Sequence, residues 1–590
     1  MADPAHISAP PIASRTPSGG FKTSEGTLYV SKPYRSKSSK KLRALITFAP
    51  RKSHFDIENE SSKSNEFRGF FSLFWISIFI FAVQSYVRSI EASGRPLNLG
   101  FATLFSQDAI TLALSDAALV LSTGICVPFA ISIKNGWIRY YWTGVILQHL
   151  IQTTILLSAI TWTFNRKWPW VQSGFLTLHS LVMIMKMHSY MSVNGHLQQV
   201  TLQAENVLHD LHEASQAPSI GGWDKALLDA KSHRAETDAL TAISTSSNGT
   251  REPTPSRTPD VPDGLSTSYT DAATATALRR RLATVSSTTN DTIVIEGNEN
   301  ESQSPTPPNG TAAQLQVDTN NCHPFDPHPL VDHPDARIAD LATEYSELQS
   351  ELTSLGPHYL TWPNNISLKN FAVYQLYPTL VYELEYPRTD RIRPIYLFEK
   401  TVATFGTFAL LYTVTETFIL PYIPTFEQSI ARSLLDLALP FMIAYLLLFY
   451  IIFECICNAF AELSYFADRQ FYDDWWNSTS WDEFSRKWNK PVHAFLLRHV
   501  YAPTIMGYGL SRTWAMFLTF LLSACVHELV MVIVTQKFRM YLFILQIVQI
   551  PMIVISRIPM VKRNKLLGNV VFWLGLYAGF PLLCVAYVTY

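Results

Sequence analysis

Along this chain, long uninterrupted apolar runs alternate with strongly polar stretches. Nine of the runs approach or exceed the roughly 20 residues that a helix needs to cross a hydrocarbon layer of about 30 Å. They are residues 69–88, 108–133, 142–164, 170–193, 401–423, 433–460, 512–535, 540–557 and 569–590. A backbone surrounded by lipid has no water to bond to, so such runs fold as helices. The pattern therefore predicts an all-α polytopic membrane protein, a bundle of about nine transmembrane helices. So many long apolar runs argue against a soluble enzyme built on one buried core.

The polar stretches divide the rest. Residues 1–68 and 215–333 are rich in Ser, Thr, Pro and Asn and poor in large apolar side chains. They bury too little surface to offset the entropy of ordering, and disorder is expected. The second stretch sits inside a long loop, flanked by helical patterns at 197–214 and 334–354, and is expected to be dispensable for chemistry. The predicted organisation is a mostly disordered amino-terminal region (1–68), helices one to four (69–198), a cytosolic loop carrying the insertion (199–357), and a carboxy-terminal region with helices five to nine (358–590). Lys37, Lys40, Lys41, Arg43, Arg51 and Lys52 precede the first run, which places the amino terminus in the cytosol. The first twenty residues lack an apolar core, so no cleavable signal is expected.

Composition changes this picture little. The mean hydropathy of +0.09 looks soluble only because the polar stretches dilute the apolar ones. A net charge of -1 gives no reason to expect a nucleic-acid partner. Six cysteines, without paired C-x-x-C spacing, suggest neither a disulfide framework nor a zinc site. More informative are the polar residues inside the apolar runs: Gln148, His149, Gln152 and Thr153; His179 and Lys186; and Glu454, Asn458 and Glu462 at i, i+4, i+8. Such groups either bond across helices or line a wet cavity in the bundle, as enzymes and transporters both require.

The sharpest of these is His527, in the middle of "LLSACVHELVMVIV". Thr519 and Ser523 share its helix face. A neutral imidazole in that position is a ready general base, although a packed histidine bonded to a neighbouring helix fits the pattern as well. His527–Glu528 begins an H-E-x-x-H motif, but Met531 stands where the second ligand would be, so no metal is expected. The other dense segment is "FYDDWWNSTSWDEFSRKWNKPVHAFL", Phe471 to Leu496. Ser480 and Glu483 form a capping-box pattern that starts a helix. Trp481, Phe484 and Trp488 then make an apolar face, with Arg486 and Asn489 on another. Pro491 ends or kinks that helix, and a second starts over Val492–Val500. This reads as an amphipathic element at the membrane interface, where tryptophans are favoured.

"FYDDWWN" matches the F-Y-x-D-W-W-N motif of the membrane-bound O-acyltransferases that esterify sterols and diacylglycerol, at Phe471, Tyr472, Asp474, Trp475, Trp476 and Asn477. "WNKPVH" and "SACVHEL" follow in that family's order and spacing. Upstream, "KWPWVQSGF", "MKMHSYMSVNG" and "YPTLVYELEYPRTDRIR" resemble the fungal acyl-CoA:sterol acyltransferases. The resemblance covers 108–198 and 358–590, and leaves out the amino terminus and the insertion. It implies that His527 is the catalytic histidine and Asn489 its partner at the carbonyl or oxyanion. It also implies that Arg486, Trp488, His493, Tyr501 and Ser523 contact acyl-CoA. A long-chain acyl-CoA and a membrane sterol would be the substrates, with no cofactor, in a homodimer or homotetramer of the endoplasmic reticulum membrane. No G-x-S-x-G elbow appears, so transfer would be direct, without an acyl-enzyme. A diacylglycerol acyltransferase, or a lipid transporter with His527 as proton relay, are the competing readings.

Overall fold

A computed structural model describes residues 48–56, 68–95, 103, 106–218, 220–246, 327–354, 358–424, 428–556, 558 and 564–589. It also describes a small antiparallel hairpin pairing Phe21–Thr23 with Gly26–Leu28. Apart from that hairpin, the described elements are helices. In chain order they are α1 (Arg68–Ser93), α2 (Ala109–Ser122), α3 (Cys126–Lys134), α4 (Val145–Arg166), α5 (Trp170–Ser215) and α6 (Trp223–Ser246). There follow α7 (Ala336–Leu352), α8 (Leu368–Leu376), α9 (Pro394–Val414), α10 (Ile430–Phe449) and α11 (Cys457–Leu463). The remainder are α12 (Trp481–Trp488), α13 (Lys490–Leu496), α14 (Ala502–Met506), α15 (Arg512–Thr535), α16 (Tyr541–Ser556) and α17 (Lys565–Thr589).

Among the described residues, six helical stretches are long and apolar enough to cross a membrane: Ala109–Lys134, Tyr140–Arg166, Pro394–Tyr422, Ala431–Leu463, Arg512–Thr535 and Lys565–Tyr587. The expected count of nine is therefore not reproduced. Residues 69–88 lie within α1, several of whose side chains fall outside the described set. Residues 540–557 give the shorter apolar helix Tyr541–Ser556. The run 170–193 does form a helix, but α5 continues to Ser215 as a single element of 46 residues. It buries Gln172, Ser173, Thr177, Ser180, Lys186, Ser189, Asn194 and Gln198, so it serves as an internal post. Helices α3, α4, α7 and α15 all pack on it. Outward-facing Ile110, Trp142, Ile395 and Leu435 are each 79% exposed or more, which suits a lipid-facing surface.

The large core is aromatic and gathers where α5, α8, α10 and α17 meet the segment 466–488. The insertion is narrower than composition suggested. Within 215–333, Trp223–Ser246 is helical, and Ala226 and Ala230 bury against Leu211, Leu330, Ile338 and Ala342. Residues 247–326, where most of the disorder was expected, lie outside the described set. Residues 48–56, assigned by composition to the amino-terminal region, are packed: Arg51, Ser53 and Asp56 are buried.

Candidate active site

The segment Phe471–Leu496 folds largely as its sequence dictates. Ser480 accepts a bond from the Glu483 amide at 3.2 Å, and the Glu483 carboxylate accepts from the Thr479 amide at 2.9 Å, closing the start of α12. At Asn489 the chain leaves helical geometry (φ −140°, ψ 85°) and α13 begins, with Pro491 in its first turn. Asn489 Oδ1 accepts from the Val492 amide at 3.1 Å, capping α13. With the oxygen so occupied, the amide nitrogen Nδ2 remains as a free donor.

The F-Y-x-D-W-W-N motif holds this corner in place. The Asp473 amide donates to the Lys487 carbonyl at 2.8 Å, and the Lys490 amide donates to the Phe471 carbonyl at 3.0 Å, so the motif brackets Asn489 through its backbone. The Tyr472 hydroxyl donates to buried Glu454 at 2.9 Å. Asp474 pairs with Lys487 at 2.8 Å and accepts from Asn477 at 3.3 Å. Trp475 is buried, edge-on to Trp488 with centroids 4.9 Å apart. The Trp476 carbonyl accepts from Asn569 at 2.9 Å and from the Trp573 indole at 3.1 Å, fastening the loop to α17. These motif residues build a platform fastened to Glu454, to α12 and to α17.

His527 lies on α15, which starts at a Ser511 cap. Its Nδ1 is 2.7 Å from the Ser523 carbonyl, a contact that only an N–H makes. Nδ1 is therefore the donor, and Nε2 carries the lone pair. The ring is exposed, and among the described residues its bonds go to Ser523 of its own helix, which disfavours a histidine tied to a neighbouring helix. Thr519, on the same face, bonds the Ala515 carbonyl at 2.7 Å. Glu528 points elsewhere and is buried. It accepts from the amides of Met540 (2.7 Å) and Phe543 (3.1 Å) at the start of α16, and from the Tyr587 hydroxyl (3.1 Å). A carboxylate at a helix start satisfies free amides and complements the helix dipole. This explains the glutamate of the broken H-E-x-x-H motif.

The other expected acyl-CoA contacts are spread over neighbouring elements. Arg486 is half-exposed and pairs with Asp482 at 3.2 Å. Trp488 stacks on Tyr445 of α10, with centroids 4.8 Å apart and planes within 4°. His493 sits in α13, where burial and then the Arg486 cation push its pKa down to about 4. Tyr501 ends the π-helical turn Leu497–Tyr501, which packs on α15, the helix of Ser523 and His527. No hydrogen bond joins Asn489 to His527.

The polar residues of the apolar runs mostly find partners inside the protein. Lys186 donates to the carbonyls of Tyr374, Gln375 and Tyr377 at the end of α8, within 3.1 Å. Glu454 meets Lys400 at 2.8 Å, Glu462 meets Arg393 and Arg469, and His179 meets Asp116. These are bonds between elements, the first of the two alternatives that the sequence left open. The sequence reading missed the segment 48–56, whose nine residues carry no periodicity and only a mixture of rings and charges as a signal.

Comparison with known proteins adds identity to this geometry. The profile of the MBOAT, membrane-bound O-acyltransferase family, matches residues 235–589. "Probable sterol O-acyltransferase 1" of Schizosaccharomyces pombe is 31% identical over 92% of this chain and 86% of its own length. "Sterol O-acyltransferase 2" of Candida albicans is 31% identical over 92% of this chain and 78% of its own. "Diacylglycerol O-acyltransferase 1" of Dictyostelium discoideum is 36% identical, over only 38% of this chain and 37% of its own.

Proposed function

This chain belongs to the membrane-bound O-acyltransferase family, and on that premise we propose that it transfers a long-chain fatty acyl group from coenzyme A to the hydroxyl of a membrane sterol, forming a steryl ester. Two relatives named sterol O-acyltransferase align along nearly the whole chain, whereas the diacylglycerol enzyme aligns over little more than a third. The observation that carries the mechanism is the His527 imidazole, with Nδ1 committed to the Ser523 carbonyl and Nε2 free on an apolar helix.

Nε2 of His527 takes the proton from the sterol hydroxyl as the oxygen attacks the thioester carbonyl. Asn489 Nδ2 donates to the oxygen that gains negative charge, a contribution typically worth about 10²–10³ in kcat. Collapse of the tetrahedral centre breaks the carbon–sulfur bond, and the imidazolium returns the proton to the coenzyme A thiolate. Much of the acceleration comes from holding two lipids at one point. Arg486, Trp488, His493, Tyr501 and Ser523 form the approach for acyl-CoA, which arrives from the cytosol because its nucleotide head is charged. The sterol enters laterally from the bilayer, that of the endoplasmic reticulum, with the amino terminus of the protein on the cytosolic side. The test is a competition at matched membrane concentration between ergosterol, cholesterol and diacylglycerol, with labelled oleoyl-CoA and purified protein. Steryl ester is expected as the major product; faster triacylglycerol formation would move the assignment to the diacylglycerol branch.

A further inference from the structure

Residues 48–56 lie outside the part of the chain that the family profile covers, yet they are built into the signature loop. The Arg51 backbone exchanges two bonds with the chain just ahead of the motif: its amide donates to the Ala467 carbonyl at 3.1 Å, and the Arg469 amide donates to its carbonyl at 2.9 Å. Its guanidinium meets the Asp468 carboxylate in a two-point contact, with Nε at 3.0 Å from Oδ1. Two residues on, the Ser53 hydroxyl donates to Glu454, the carboxylate that also receives Tyr472. The Phe55 ring lies against Tyr472 and Trp476, with centroids 6.2 and 6.0 Å away.

His54 makes the connection that matters for chemistry. Its Nε2 is 2.9 Å from Asp473 Oδ1, while the other oxygen of Asp473 is 2.9 Å from Lys490 Nζ. Asp473 occupies the variable position of F-Y-x-D-W-W-N, and Lys490 is the neighbour of Asn489. The path from this segment to the carbonyl donor is thus His54, Asp473, Lys490, Asn489. It runs beside the backbone bond from the Lys490 amide to Phe471.

We propose that residues 48–56 form a strap that positions Asn489, with Arg51 anchoring it at Asp468 and His54 acting through Asp473 and Lys490. Arg51 and His54 are positioning residues, since neither reaches the reacting atoms. The inference rests on the role given above to Asn489. A displaced strap would leave acyl-CoA binding largely intact and misplace the donor, so the loss falls on kcat more than on KM.

The experiment measures steady-state turnover of the purified full-length protein with labelled oleoyl-CoA and sterol. Arg51→Asp is expected to lower kcat by about tenfold or more, the scale of a misplacement below 1 Å, and to change KM for oleoyl-CoA by less than about twofold. Pairing it with Asp468→Arg, which restores opposite charges with reversed polarity, is expected to recover most of the lost turnover. His54→Ala should lower kcat several-fold, while His54→Gln, whose amide can still donate to Asp473, should stay close to wild type. If Arg51→Asp does not purify as a monodisperse protein, the His54 pair decides alone. Unchanged kcat, a loss confined to KM, or equal losses in His54→Ala and His54→Gln would each overturn the strap. His527→Ala and Asn489→Ala run alongside. If both stay active, the catalytic reading itself has failed; if both are dead while the strap variants are normal, only the strap inference has.

Discussion

Asn489 carries two duties that substitution can separate. Its Oδ1 caps α13 through the Val492 amide at 3.1 Å, and its Nδ2 is the proposed donor to the thioester oxygen. Removing an N-cap costs about 0.5–2 kcal/mol of stability. Removing an oxyanion donor costs about 10²–10³ in kcat, or roughly 2.7–4 kcal/mol of barrier. Asn489→Asp keeps a good capping oxygen and deletes the donor, whereas Asn489→Ala deletes both. The aspartate variant should therefore unfold close to the wild-type temperature and still lose about 10²–10³ in kcat. The alanine variant should lose a similar factor and in addition melt earlier, by an amount corresponding to about 1 kcal/mol. The assay pairs thermal unfolding in detergent with turnover of labelled oleoyl-CoA. An aspartate variant that kept more than about a tenth of wild-type kcat would refute the donor role. A raised KM with unchanged kcat would reassign Asn489 to ground-state binding.

Two further outcomes are expected. Excising the whole of 215–333 should abolish folding, because it removes α6 and Leu330 from their cluster with Leu211 and Ala342. Excising only 247–326 should preserve specific activity, given a linker that reaches: Ser246 lies about 24 Å along α6 from Ala230, and about 20 Gly/Ser residues have a comparable root-mean-square span. Loss of activity in the shorter deletion, in protein that purifies normally, would show that the excised stretch contributes to turnover. The second outcome concerns pH. Burial and the Arg486 cation hold His493 at about 4, against about 6.5 for an exposed histidine. The unfolded chain therefore takes up that proton first as pH falls. The contribution of His493 is whole above pH 6.5 and is lost progressively towards pH 4. Thermal unfolding should follow that window, and His493→Gln should flatten it; an identical profile in the variant would contradict the burial argument.

The parts of this protein visible in its sequence are those set by local chemistry. The capping box at Ser480 and Glu483 and the face shared by Thr519, Ser523 and His527 depend on residues within a few positions and appear in the structure, while the break expected at Pro491 falls at Asn489, with Pro491 in the first turn of α13. Hydropathy reads a segment one residue at a time and cannot see partners. That is why the sequence marks His179 and Lys186 as polar residues inside 170–193 but not that Lys186 is committed to three carbonyls at the end of the distant α8. The same blindness left Glu454 and Glu462 open between bonding across helices and lining a cavity, when they pair with Lys400, Arg393 and Arg469. Composition erred in the other direction at Trp223–Ser246, a helix whose small buried Ala226 and Ala230 carry almost no hydropathy signal. The segment 48–56 was illegible because its contacts with the rest of the chain lie some 340 to 420 residues away in sequence, from Phe48 with Tyr386 to His54 with Asp473. For the site, family motifs pointed to His527 and Asn489, and the structure added that His527 Nδ1 is committed to the Ser523 carbonyl and Asn489 Oδ1 to the Val492 amide.

The Nε2 lone pair of His527 is the centre of the proposed mechanism, and single-turnover acyl transfer by purified His527→Ala protein measures its contribution. With saturating oleoyl-CoA and sterol, and with the variant shown to be monodisperse, the expected result is a loss of about 10²–10⁴ in the rate of ester formation. A variant that formed ester at more than about a tenth of the wild-type rate would contradict the assignment of His527 as the base.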